Sequence, residues 1–439
     1  MGSEGNILNL KTKVPPLLFE LIVSEISSTH VNFAKDCFFN KKNPYECILF
    51  FFKNLFFCLA FLRKISFKNV TDNEFSSNIV YYGNEKTKTE KIFLSDYFNI
   101  IDKKVVSISN DESVDMKSLN QMSFTYKYLP DYIKDVSKIL VTIFYVGITR
   151  KVKLNEFFVL SLALKNIGVH YKWKSIIDIY EPDFIVNFFS ATTEGHALNF
   201  QAQSLNKKVF TYSWGSNIKA IEQKFTVQDY VLLKSQDEIG KYRYGEEVVI
   251  GDLGLRRIER NLEQVNYICL IDTCYNDKFR LFEKSEMYRK IFKWLDTINV
   301  KKVHVVFHPG SVDTDTVMDL AKDFTFTFSM SIGDLDFVLS KSKLAINIVS
   351  TELKTVIYSG IPVVNFAPLY FDMYLPNSKC EGFLNRSSGV DIHFWSQLDE
   401  YYNLSDVINS GFNEEEYSTF VSDYVCDEYK LNKFGRLLL

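Results

Sequence analysis

Between residues 183 and 366 the chain alternates short apolar runs with longer stretches whose apolar residues recur every three or four positions. The runs DFIVNFF (183–189), KVFTYS (208–213), NYICLI (266–271), KVHVVF (302–307) and LAINIV (344–349) read as strands, and the first is nearly continuous in apolar side chains. That is the pattern of strands buried on both faces of a parallel sheet, whereas a half-exposed strand would alternate. The stretches between them predict helices, among them 197–206 and 281–297. Regular strand–helix alternation of this length predicts βαβ units.

The same reading extends outward from this region. Strands are expected at 78–82 (NIVYY), 104–108 (KVVSI), 230–233 and 247–250, with a polar loop over 110–128. Helices are expected at 15–40, 44–66, 131–149, 153–167, 173–180 and 235–243, and near 397–409 and 413–430. Gly251-Asp252-Leu253-Gly254, followed by the charged LRRIERNLEQ, marks a boundary. The expected fold class is therefore α/β, with two Rossmann-like domains, 1–255 and 256–439, facing a central cleft. A length of 439 residues fits two cores better than one.

Composition narrows the function classes. With 51 basic and 54 acidic residues the net charge is −3, so no basic excess points to nucleic acid. The seven cysteines are scattered, with no Cys-x-x-Cys and no zinc-site spacing, which fits a reducing compartment. The first residues lack the layout of a signal peptide, so a cytoplasmic location is expected. The segment 48–62, ILFFFKNLFFCLAFL, falls short of the roughly 20 apolar residues that span a bilayer. It reads either as a buried helix or as an interfacial one touching the inner membrane face, with lysines at the head groups.

Candidate chemistry sits at strand exits, where open α/β sheets bind ligands. His308-Pro309-Gly310-Ser311 follows one strand, and Ser350-Thr351-Glu352 follows another 42 positions on. Proline fixes such a turn and Gly310 lets a ligand approach the backbone. His308 could donate a hydrogen bond to phosphate or protonate its oxygen, or simply end a strand. Ser350 and Thr351 could hold an anion or cap a helix. His304, inside its strand, reads as core. Glu194, at the exit of the 183–189 strand, is the candidate general base; a first-turn helix acid is the alternative. Asp272, Thr273 and Trp214 occupy further exits and are cleft candidates, Asp272 being the next choice for base.

Several constellations are absent: the Gly-x-x-x-x-Gly-Lys phosphate loop, the Gly-x-Gly-x-x-Gly dinucleotide turn and the Gly-x-Ser-x-Gly elbow. Asp313-Thr314-Asp315 and Asp334-Leu335-Asp336 read as helix caps and surface charge, and no metal site is expected.

His-Pro after one strand and Ser-Thr after a later one resemble the GT-B glycosyltransferases that use cytidine monophosphate (CMP) sugars. These include bacterial sialyltransferases and related nonulosonate and Kdo transferases of capsule and lipopolysaccharide synthesis. The resemblance implies that His308, Ser350 and Thr351 engage the CMP phosphate. It also implies that Thr193-Glu194-Gly195 stands where that family has an acidic motif ending in glycine, with threonine here in place of an acid. CDP-glycerol glycerophosphotransferases share the His-Pro and hydroxyl turns, but their Trp-His-Gly turn corresponds here to Trp214-Gly215, without the histidine.

The expected activity is transfer of a sialic, pseudaminic, legionaminic or Kdo-type acidic sugar from its CMP donor to a glycan or lipid-linked glycan acceptor. The reaction would be inverting and would need neither metal nor cofactor. A CDP-glycerol transferase, a UDP-sugar epimerase and a non-catalytic glycan- or nucleotide-binding scaffold are the alternatives.

Overall fold

The computed structural model of the chain describes residues 21–22, 44–62, 79–83, 105–109, 126–149, 160–188, 192–212, 226–240, 242–261, 267–272, 284–308, 311, 314–348, 350, 352–366, 392–394, 403–408 and 414–438. They divide into two compact units. One comprises Met1–Trp214, Lys219–Gly254 and Cys426–Leu439; the other comprises Gly215–Ile218 and Leu255–Val425.

The first unit holds a six-stranded, wholly parallel sheet. Its strands are β1 (Ile79–Gly83), β2 (Val105–Ser109), β3 (Phe184–Asn187), β4 (Lys208–Tyr212), β5 (Tyr230–Leu233) and β6 (Glu246–Val249), in spatial order β2-β1-β3-β4-β5-β6. β1 and β3 are buried along their whole length because they lie inside the sheet with both faces covered. Side-chain alternation sends Ile79, Tyr81 and Val186 to one core and Val80, Tyr82 and Ile185 to the other.

Among the described residues, the helices of this part of the chain include α1 (Pro44–Phe61), α2 (Leu129–Thr149), α3 (Leu162–Tyr180) and α4 (Thr193–Ser204). Where two helices were expected, at 153–167 and 173–180, α3 runs unbroken through Gly168-Val169. Packing explains the join. A Cβ at Gly168 would meet the Phe61 ring at 2.7 Å, so the glycine that weakens the helix locally admits α1 against it. The N-terminal half of α3 packs with α1 and α2, while Trp173, Ile176 and Ile177 cover the sheet. It ends at Glu181, which takes a left-handed φ of 45° before Pro182.

α1 is neither fully buried nor free. Phe51, Asn54 and Cys58 face the core, whereas Ile48, Leu49, Phe52, Phe56 and Leu59 are exposed. Among the described residues, no helix is long and apolar enough to cross a membrane. The helix expected at 235–243 is only a single 3₁₀ turn, Gln236–Glu238. The backbone N–H groups of Gly240 and Tyr242 instead donate to the Glu247 carboxylate, and Gly240 adopts φ 79°.

The second unit holds another six-stranded parallel sheet: β7 (Tyr267–Ile271), β8 (Lys302–Phe307), β9 (Thr327–Ile332), β10 (Ser342–Asn347), β11 (Val363–Asn365) and β12 (Ile392–Phe394). The order is β12-β11-β10-β7-β8-β9. The helices are α5 (Lys284–Thr297), α6 (Thr314–Ala321), α7 (Leu335–Ser340), α8 (Leu353–Tyr358), α9 (Leu404–Ile408) and α10 (Glu414–Tyr424). Met287, Tyr288, Ile291, Phe292 and Leu295 form the apolar stripe of α5 and pack on one face of the sheet. α7, α8 and α10 cover the other.

Two features depart from the expected second domain. The single helix foreseen at 413–430 is broken at 425–427, where Asp427 accepts from the Lys430 N–H and starts α11 (Glu428–Leu438). α11 belongs to the first unit: Phe434 is fully buried there, edge-on to Phe210 at 5.6 Å. The second domain therefore does not extend to 439 as expected.

Each sheet is doubly wound. Successive strands step outward one way (β1, β2; β7, β8, β9), then return to the middle and step outward the other way. Both units are thus Rossmann-like, with topological switch points between β1 and β3 and between β7 and β10.

Candidate functional site

In an open parallel sheet the switch point leaves a crevice at the carboxyl ends of the two strands flanking it. In the second unit the adjacent strands β8, β7 and β10 end side by side at that edge, and their exits carry His308, Asp272 and Ser350. Pro309, Gly310, Thr351, Thr273 and Trp214 lie outside the described residues.

His308 follows β8 directly and is exposed. Its carbonyl accepts from the Ser311 N–H at 2.8 Å, closing a four-residue turn. Partial burial lowers the proton affinity of its imidazole, and the Asp272 carboxylate opposes that effect with less weight. The free ring is therefore held toward its neutral form, in which one nitrogen donates and the other accepts.

Asp272 follows β7 and is only 3% exposed. Its Oδ1 accepts from the Tyr288 hydroxyl at 2.6 Å and its Oδ2 from the Ser311 hydroxyl at 2.5 Å. A carboxylate buried and engaged in this way is a poor second choice for general base.

Ser350 ends the exit of β10. Its N–H donates to Asn347 Oδ1 at 3.0 Å, and its Oγ accepts from the Glu352 N–H at 3.3 Å. The hydroxyl proton is thus directed away from the backbone bond. α8, which follows, has six residues, so its macrodipole is short and the hydroxyl matters more than the helix. Arg256 holds this corner: Nε donates to both Asp336 oxygens (2.7 and 2.9 Å) and a terminal nitrogen donates to Glu352 at 3.0 Å. Asp336 is therefore an ion-pair partner as well as a helix acid, and Asp334 makes no side-chain cap. Arg256's contacts with Asp336 and Glu352 are hidden in the sequence because it lies 80 and 96 positions from these partners.

In the first unit, Glu194 stands in the opening turn of α4, just after β3 at the other switch point. Thr192 caps that helix by accepting from the Gly195 N–H at 3.0 Å. Glu194 Oε2 accepts from the Trp173 indole N–H at 2.8 Å, and Lys172 lies 3.4 Å from both oxygens. The side chain is about one-third exposed (31%), and Oε1 lies 3.4 Å from the Lys172 ammonium. It keeps acceptor capacity for an incoming hydroxyl. Tyr82, at the end of β1, lies within the field of Glu194; burial and then that charge push its phenol well above the usual range. In the sequence Trp173 stands only as the start of an expected helix and Lys172 falls between two expected helices; neither carries a signal that points to Glu194.

Behind Glu194 lies a buried polar layer. Asn187 donates to the Gly195 carbonyl (2.9 Å) and to Asn199 (2.6 Å), and Asn199 donates to Thr211 (3.2 Å). Gln201 Nε2 donates to His170 Nδ1 at 3.2 Å; an amide nitrogen only donates, so the neutral ring carries its proton on Nε2. Burial, then the neighbouring His196, lowers the His170 pKa to about 3.

This has a consequence for stability. In the unfolded chain His170 titrates near 6.5, so below that pH the unfolded state binds a proton that the folded state refuses. Stability present above about pH 6.5 is lost as pH falls, by up to about 1.4 kcal/mol per pH unit from this residue. Urea midpoints should drop between pH 7.5 and 5.5, and His170→Gln should flatten the decline. A midpoint constant over that range would contradict this account of the layer.

Among the described residues, no group of three or more His, Cys, Asp or Glu side chains is placed to hold a metal ion.

No family model matches the chain, and no curated protein matches it. Solved structures do. A UDP-GlcNAc 2-epimerase from Neisseria meningitidis aligns over 82% of this chain and 98% of its own, at 10% identity and a TM-score of 0.42. MurG of Acinetobacter baumannii aligns over 82% and 93%, at 10% identity and a TM-score of 0.39. The wall teichoic acid polymerase TagF aligns over 91% and 97%, at 11% identity and a TM-score of 0.42. At this level the likeness says nothing of what the chain binds.

Proposed function

We propose that the chain is a metal-independent glycosyltransferase of the GT-B type, moving an acidic sugar from a CMP donor to a glycan or lipid-linked glycan hydroxyl. The observation that supports this most is that His308 and Ser350 leave the carboxyl ends of β8 and β10, the two strands that flank β7 beside the switch point. A neutral imidazole N–H and a serine hydroxyl there suit a single phosphate, with Thr351, Pro309 and Gly310 completing the two turns. Such donors stabilise the charge that develops as CMP departs, and one phosphate needs no metal to balance it. Glu194 takes the proton of the acceptor hydroxyl, and a single displacement inverts the anomeric centre.

Two other readings share the nucleotide-binding half. A CDP-glycerol transferase would use the same His-Pro and hydroxyl turns, and a UDP-sugar epimerase would need no acceptor. Calorimetry with CMP, UMP and CDP-glycerol separates them. The proposal expects saturable CMP binding that is weakened in His308→Ala. UMP binding without CMP binding would favour the epimerase, and turnover of CDP-glycerol would favour the polyol phosphate transferase.

The reading includes peripheral contact with a lipid surface through α1. Its exposed Ile48, Phe52, Phe56 and Leu59 lie on one side of the helix, with Lys53 also exposed. Flotation with vesicles containing anionic lipid should carry the wild-type protein upward and leave a Phe52→Ser/Phe56→Ser variant behind. Equal flotation of the two would remove α1 from this role.

A further inference from the structure

We infer that Asp272 is a positioning residue that fixes the His308 turn through Ser311. The inference rests on the phosphate-binding reading of that turn and adds to it the device that holds the turn still.

The chain of contacts begins in the core. Tyr288 is fully buried on α5, among Met287, Ile291 and Phe292. Its hydroxyl donates to Asp272 Oδ1 at 2.6 Å and sets the carboxylate orientation. The Asp272 N–H donates to the Val306 carbonyl at 3.0 Å, so its backbone is tied to β8, the strand that delivers His308. Oδ2 then receives the Ser311 hydroxyl at 2.5 Å. Ser311 closes the turn onto the His308 carbonyl at 2.8 Å. Tyr288, Asp272, Ser311 and the His308 carbonyl thus form one continuous link from the core to the backbone of the residue that carries the imidazole.

Hydroxyl-to-carboxylate bonds of this kind are roughly twice as strong as neutral ones. A reacting group misplaced by about 1 Å can lose about 100-fold in rate. Ser311 is therefore the replaceable part of the link, and its loss leaves the buried Asp272–Tyr288 bond in place.

The test compares wild type with Ser311→Ala, Ser311→Thr and Asp272→Asn. Nucleotide release from CMP-sialic acid is one readout, and the NMR titration of the His308 imidazole is the other. Thermal melting confirms that each variant is folded. Ser311→Ala is expected to lose about 10- to 100-fold in kcat with a smaller change in KM, and Ser311→Thr, which keeps the hydroxyl, recovers most of it. In Ser311→Ala the His308 resonances move and broaden, and in Asp272→Asn the imidazole titrates at lower pH, because the carboxylate that raised its proton affinity is gone.

Ser311→Ala at wild-type turnover overturns the inference whatever Asp272→Asn does. If wild type releases no nucleotide from CMP-sialic acid, the donor reading has failed for that sugar, and the NMR arm alone decides about the link. His308 resonances and titration unchanged in Ser311→Ala would then overturn it.

Discussion

His308→Ala lowers turnover by about two orders of magnitude or more, with folding intact, as expected for removal of a group that acts on the departing phosphate. The fold should tolerate the change because His308 is exposed and its backbone carbonyl, not its ring, closes the turn with Ser311. The ring's lowered proton affinity makes it chiefly a neutral donor in the free protein. A phosphate brought beside it favours the protonated form, so nucleotide binding should raise the pH at which His308 titrates. His308→Asn keeps an N–H donor without a titrating ring. Partial recovery of rate in that variant is expected if hydrogen bonding carries most of the effect. Activity of His308→Asn equal to that of His308→Ala would point to proton transfer instead.

Glu194→Gln is the second large loss, again about 100-fold or more in kcat. Glutamine is the informative replacement because its oxygen can still accept from the Trp173 indole at the 2.8 Å position. The anchoring survives and the ability to take a proton does not. A merely structural Glu194, tying α4 to α3, would leave the variant near full activity. In that case Asp272 would be an unsuitable replacement base, since its carboxylate is buried and already receives two hydroxyl protons.

Both candidate residues stand out in the sequence because strands buried on two faces are written as apolar runs, and the polar residues beyond them break the pattern. Phe184–Asn187 and Lys302–Phe307 are of this kind, and Glu194 and His308 are the first chemically distinctive side chains beyond them. What was not visible depends on contacts between distant residues. Gly168 and Val169 suggest a break in α3, yet the approach of Phe61 makes the glycine part of a continuous helix. Asp427 restarts a helix that periodicity alone would have continued, and Phe434 then packs beside Phe210, 224 positions away in the sequence. β12 is three residues long and follows irregular sequence, too little for an alternation to register. Ser311 follows His308-Pro309-Gly310 in the sequence, but its bond to Asp272, 39 positions earlier, is a tertiary contact that the sequence does not display.

The donor claim is tested most directly by incubating the protein with a panel of CMP-, CDP- and UDP-activated sugars and identifying the released nucleotide. The account predicts CMP, released from one or more CMP-activated acidic sugars, and strongly reduced release in His308→Ala. Release from UDP-sugars alone would contradict it.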